Sequence, residues 1–292
     1  MAYKPKPNRN IMQYIKRLIL LTVMAQAPVA LGQEYLQDRG AGIPLSLFGA
    51  YIGKGELLVL PFYEFTRDRN REYQPREFGF GSEEDFRGKF QSSSGQVFVA
   101  YGLSDRLALE FEAALMSVSF DKAPRDALTA PARIEESGFT DIEGQLRWRW
   151  REENDRRPEI FSYLEITVPS QRHKLLIGDH NWDFRPGVGL VKGFTWGTVT
   201  VRSDLEYNLE PDVLDVGETA VEYLKRLSSA WRLYLGIEGG EGGAIDEWDF
   251  ISGVQWRVTD FAFVKVDNAL GISSKSPDWA PQFGALFLFP IR

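Results

Sequence analysis

Leu107, Leu109, Phe111, Ala113 and Leu115 alternate with Ala108, Glu110, Glu112, Ala114 and Met116. The same period of two sets Ile142, Leu146, Trp148 and Trp150 against Glu143, Gln145, Arg147, Arg149 and Arg151, and Trp231, Leu233, Leu235 and Ile237 against Arg232, Tyr234, Gly236 and Glu238. A helix would spread these charges around its circumference, whereas a strand sorts them onto one side. Each segment is therefore expected to be a strand with one apolar and one polar face. Applied along the chain, the test gives twelve strands, near residues 56–67, 95–102, 107–118, 141–151, 159–168 and 184–192, then 198–208, 217–226, 231–238, 247–258, 261–272 and 281–289. Alternation is weakest in the sixth and eighth.

The connections alternate in length. Long polar segments follow the odd-numbered strands, at 68–94, 119–140, 169–183, 209–216, 239–246 and 273–280. Mostly tight turns follow the even-numbered ones, at 103–106, 194–197, 227–230 and 259–260, with 152–158 the longest. Short turns at one end and long loops at the other are the habit of outer-membrane barrels, and a Greek-key sandwich has no reason to obey it. All eight tryptophans fall at strand ends, where amphipathic rings meet the two lipid interfaces. No apolar run reaches the eighteen residues of a membrane helix, a constraint that leaves strand-built membrane proteins untouched. The fold class expected is all-β: a single antiparallel transmembrane β-barrel of about twelve strands, spanning residues 55–292, with both termini at the short-turn end.

Residues 1–32 have the make-up of an export signal, with Lys4, Lys6, Arg9, Lys16 and Arg17 preceding an apolar stretch from Leu18 to Leu31 and no acid anywhere. Cleavage after Gly32 removes five of the 34 basic residues, leaving 29 against 41 acids and a formal charge of -12. Such a chain repels nucleic acid. Residues 33–54 carry Leu36, Ile43, Leu45, Leu47, Phe48, Tyr51 and Ile52 broken by glycines and Pro44, without clean alternation, and form either a periplasmic arm or a plug folded into the lumen. The absence of cysteine excludes disulfides, thiolate metal sites and a cysteine nucleophile. His173 and His180 both fall in one predicted loop beside Asp179 and Asp183, so neither a metal site nor a strand-borne catalytic base is supported, and no enzyme activity and no cofactor are expected.

The polar faces turn both charges inward. Expected to line the lumen are Glu110, Glu112, Glu143, Glu165, Asp204, Glu206, Glu238, Asp249 and Asp267, with Glu64, against Arg147, Arg149, Arg151, Arg202, Arg232, Arg257 and Lys265. They make either a mixed field along a solute path or a set of neighbouring strands that satisfy one another, with Glu110 and Glu112 facing an arginine ladder at 147, 149 and 151.

The stretches Arg39-Gly-Ala-Gly-Ile-Pro44, Gly55-Glu-Leu-Leu-Val-Leu-Pro-Phe-Tyr63, Tyr101-Gly-Leu-Ser-Asp-Arg-Leu107, Gly138-Phe-Thr-Asp-Ile-Glu-Gly144 and Glu222-Tyr-Leu-Lys-Arg226 resemble the bacterial outer-membrane proteins grouped as transporters of the meta-pathway-of-phenol-degradation type. The resemblance covers nearly all of the chain after residue 32. It implies a barrel in the outer membrane of a Gram-negative-type bacterium, in contact with outer-membrane lipid and the barrel assembly machinery, that passes a small-molecule solute, aromatic or hydrophobic compounds among them. It transfers no ligand residue and leaves oligomeric state open.

Overall fold

The computed structural model describes residues 42–45, 50–81, 84–126, 131–178, 181–209, 213–240 and 247–291. Two short strands come first, β1 (Ile43–Pro44) and β2 (Tyr51–Ile52), paired only with each other. Long strands follow: β3 (Glu56–Tyr73), β4 (Phe86–Ser104) and β5 (Leu107–Asp121), with one 3-10 turn at Pro75–Phe78. Next are β6 (Arg133–Phe139), β7 (Ile142–Arg151), β8 (Glu159–Val168) and β9 (Asp183–Phe194). The remainder are β10 (Gly197–Asn208), β11 (Val213–Arg226), β12 (Trp231–Gly239), β13 (Trp248–Arg257), β14 (Ala262–Gly271) and β15 (Ala280–Pro290).

From β3 onward each strand except β6 pairs antiparallel with the next in the chain, and β15 returns to β3 with Phe283 opposite Tyr63 and Leu288 opposite Leu58, which closes the wall. β6 and β7 share one partner, since β6 pairs Leu115–Asp121 of β5 and β7 pairs Leu107–Glu112. Between them Thr140 bonds Ala114 twice, its N–H donating to the carbonyl at 2.8 Å and its hydroxyl accepting the Ala114 N–H at 3.1 Å. The hydroxyl takes the place of a ladder carbonyl, so β6 and β7 are one interrupted course and the molecule is a closed antiparallel barrel of twelve strands.

The strand cores lie where the alternation puts them, and the differences are at the long-loop end. Segments 68–94 and 119–140, expected as loops, hold much strand: β3 and β4 extend to Tyr73 and Phe86, β5 reaches Asp121, and β6 lies wholly inside the second segment. Outward positions there are polar, among them Lys89, Gln91, Ser93 and Ser119, so the apolar half of the alternation disappears while the backbone ladder continues. The connections shrink to 74–85 and 122–132. The weak alternation of β9 has a different cause. Its inward Gly187 and Gly189 lie beneath the Tyr163 and Phe161 rings of β8, where an added Cβ would come within 2.2 Å and 2.1 Å of ring carbons. The β8 rings lie along the wall only because β9 has no side chain there.

Burial is inverted relative to a soluble domain. Phe111, Leu115, Phe283 and Val188 are 50 to 63% exposed on the outside, whereas Glu110 and Arg147 are 4% and 1% exposed within. The largest apolar cluster is also internal, at the short-turn end, where Leu58, Leu60, Phe98, Ala100, Ala108 and Leu286 of the wall pack against Ile43, Leu45 and Ile52. Each such side chain stabilises the seating of β1 and β2 by about 1.5–3 kcal/mol if fully transferred from water.

Candidate functional site

Charged side chains from most of the strands converge in the interior. Arg147 occupies its middle: Nε lies 3.1 Å from Glu110 Oε1, Nη1 donates to the Pro44 carbonyl at 2.5 Å, and the guanidinium lies 5.1 Å and 5.6 Å from the Phe161 and Tyr163 ring centres. Arg149 donates to the Gly42 carbonyl and to Glu152 at 3.0 Å, with Glu159 at 3.7 Å. Two wall arginines thus grip the backbone of the N-terminal segment. Charged donors of this kind form stronger bonds than neutral ones, and their carbonyl acceptors would otherwise be stripped of water.

The arginine ladder expected opposite Glu110 and Glu112 does not form as such. Register sets Glu110 opposite Gln145 and Glu112 opposite Glu143, so Arg147 reaches Glu110 diagonally, and Arg151 turns to the Pro158 carbonyl at 3.3 Å. The reason is a two-residue offset between β5 and β7 that sequence spacing alone does not fix.

Farther round the wall, Glu165 accepts from Gln145 at 2.7 Å and pairs with Arg185 at 3.5 Å, and Arg185 lies 4.0 Å from Glu206. Asp204 accepts from the Tyr163 hydroxyl at 2.9 Å. Arg202 pairs with Glu218 and stands 3.9 Å from Glu222 and 3.7 Å from Glu238. Lys265 pairs with Asp267 at 3.1 Å, Glu64 accepts from Thr66 at 2.9 Å, and Asp249 sits opposite Glu238 in the ladder. Arg232 covers the Phe263 ring at 5.0 Å, while Arg257 lies at the short-turn rim with Asp260 at 2.8 Å. Sequence reading had not placed Glu159, Asp183, Arg185, Glu218 and Glu222 on these inward faces, and had assigned Asp183 to the loop beside the histidines, whereas it opens β9. Parity on β8 was signal enough for Glu159. The others lie on β9 and β11, where inward glycine or alanine blurs the pattern.

Among the described residues no group of three metal-ligating side chains occurs, and His173 is exposed in the segment after β8. His180 and Asp179, like Arg39 and Phe48, lie outside the described residues.

The closed twelve-strand wall with this inverted polarity is a fold shared by solved structures of outer-membrane barrels. An outer membrane channel from Pseudomonas putida F1 matches with a TM-score of 0.57 at 16% identity, over 89% of this chain and 100% of that one. The KdgM porin matches with a TM-score of 0.51 at 8% identity, over 79% and 99%, and its complex with disordered oligogalacturonate gives 0.50 at 8% over the same shares. No protein-family model and no curated protein sequence matches the chain.

Proposed function

We propose that this protein is an outer-membrane channel that lets small solutes, aromatic compounds included, diffuse across the membrane. The supporting observation is a closed barrel whose outside is apolar and whose inside is charged, an arrangement stable only with lipid around it and water or solute within. On this reading the sixteen inward residues from Glu110 to Asp267 named from sequence line the path, and the exposed Trp148, Trp150, Trp196, Trp231 and Trp256 form an aromatic girdle at the short-turn side. Residues 1–32 direct export and are removed, and the assembly machinery inserts the rest.

Residues 33–54 then act as a plug. The bonds from Arg147 and Arg149 to the Pro44 and Gly42 carbonyls favour this over a free periplasmic arm. Twelve strands spaced about 4.8 Å and tilted near 40° give a backbone diameter of roughly 24 Å, leaving a gap on the order of 10 Å between long side chains, narrower still beside the plug. Single-channel recording in planar bilayers is the test. Brief or small openings in the full chain and larger, steady conductance after deletion of residues 33–54 are expected. Silence in both would overturn the channel in favour of a closed structural barrel.

A further inference from the structure

The barrel's outer wall carries a polar groove that the interior does not explain. It has a volume of about 410 Å³ and crosses β4, β5 and β6 at the long-loop end. Register defines it. Gly95, Leu115 and Phe139 stand side by side as the last apolar outward row, the latter two 56% and 66% exposed. One outward row further along come Ser93, Ser117 and Ser137, and one beyond that Gln91, Ser119 and Glu135. The serine row and Ser119 beyond it, set between bulkier neighbours, make the depression. Arg133 closes its far rim, half exposed, 2.7 Å from Glu135 and 3.6 Å from Asp121.

Three serines abreast on adjacent strands form a grid of hydroxyls roughly 5 Å apart, each able to donate and accept. Ser93 accepts from the Tyr63 hydroxyl at 3.2 Å and keeps its own proton to donate, and hydroxyls of this spacing complement the hydroxyls of a sugar. An apolar step lies directly below, and a guanidinium suited to a phosphate lies above. A glycolipid has the same vertical order, acyl chains, then sugar, then phosphate. We infer that this groove binds the phosphorylated sugar head group of an outer-leaflet glycolipid, lipopolysaccharide, with the acyl chains against Leu115 and Phe139. The inference rests on the proposed outer-membrane placement, with the long-loop end outside.

The experiment uses the full exported protein in mild detergent, native mass spectrometry, and rough lipopolysaccharide or phosphatidylglycerol as probe. Ser117→Trp and Ser137→Trp fill the groove from two strands while leaving the interior untouched. One retained lipopolysaccharide per barrel, at least tenfold weaker binding in either variant, and no comparable retention of phosphatidylglycerol are expected. Equal binding by wild type and both variants, or no preference between the two lipids, would overturn the site. Conductance recorded in parallel separates this from the channel reading: the variants should conduct as wild type does, and a silent wild type that still binds through the serines would remove the channel and leave the groove.

Discussion

Arg147 is the residue on which wall, lumen and N-terminal segment meet, and it is also the most enclosed charge described, 1% exposed. Taking its charge out of water is costly, and Glu110, Gln145, the Pro44 carbonyl and two ring faces offset that cost. Arg147→Met should therefore destabilise the folded barrel by about 3–5 kcal/mol, because Glu110 stays buried without its counter-charge. Arg147→Met combined with Glu110→Gln should recover part of the loss. Urea titrations in detergent, followed by tryptophan fluorescence, would read both, and no loss in the single variant would mean that the pair is not buried in solution. Gly187 belongs to the same scale. Gly187→Val places a branched side chain against the Tyr163 ring, and about 1–3 kcal/mol of overpacking is expected in the same titration.

At the scale of elements, the two faces of a strand should respond oppositely to charge. Phe111→Arg or Leu235→Arg should cost roughly 2–4 kcal/mol where the site lies near the bilayer midplane, whereas Gln96→Lys, facing inward, should cost far less. Folding yields in lipid vesicles measure this, and equal sensitivity would mean that the outward face does not meet lipid. Limited proteolysis of intact cells should cut at Arg76, Lys122 or Arg125, in the connections, and spare Lys89 and Arg133, which lie in strand. Those extensions were illegible in the sequence for a physical reason. Periodicity records which side of a strand meets an apolar medium, so it tracks β5 faithfully from Leu107 to Leu115 and inverts beyond it, where Ser117 and Ser119 face outward and Val118 and Phe120 are buried within, although the ladder persists. Likewise Arg147 was recognisable as inward from alternation alone. Its grip on Pro44 was not, because a backbone carbonyl carries no sequence signature.

For the whole molecule, the interior charge is the property most open to measurement. The inward residues named from sequence hold ten acids to seven bases, and Glu159, Asp183, Glu218 and Glu222 against Arg185 widen the excess. Arg147 and Arg149, moreover, each give one donor to the N-terminal segment and others to neighbouring carboxylates. An open pore should prefer cations, and reversal potentials under a salt gradient should show it, more strongly than a ten-to-seven balance suggests. Anion preference would show that the acids do not face the conducting path.

The seam between β3 and β15 brings Glu64 and Gln282 together across 218 residues of chain. Ladders between sequence neighbours close short loops, but this one must wait for the longest, so it is the slow, final step of folding. Until it forms, the barrel is an open sheet with two unsatisfied edges, each a template for another chain. Refolding yield should accordingly fall with protein concentration even when every hairpin has already formed.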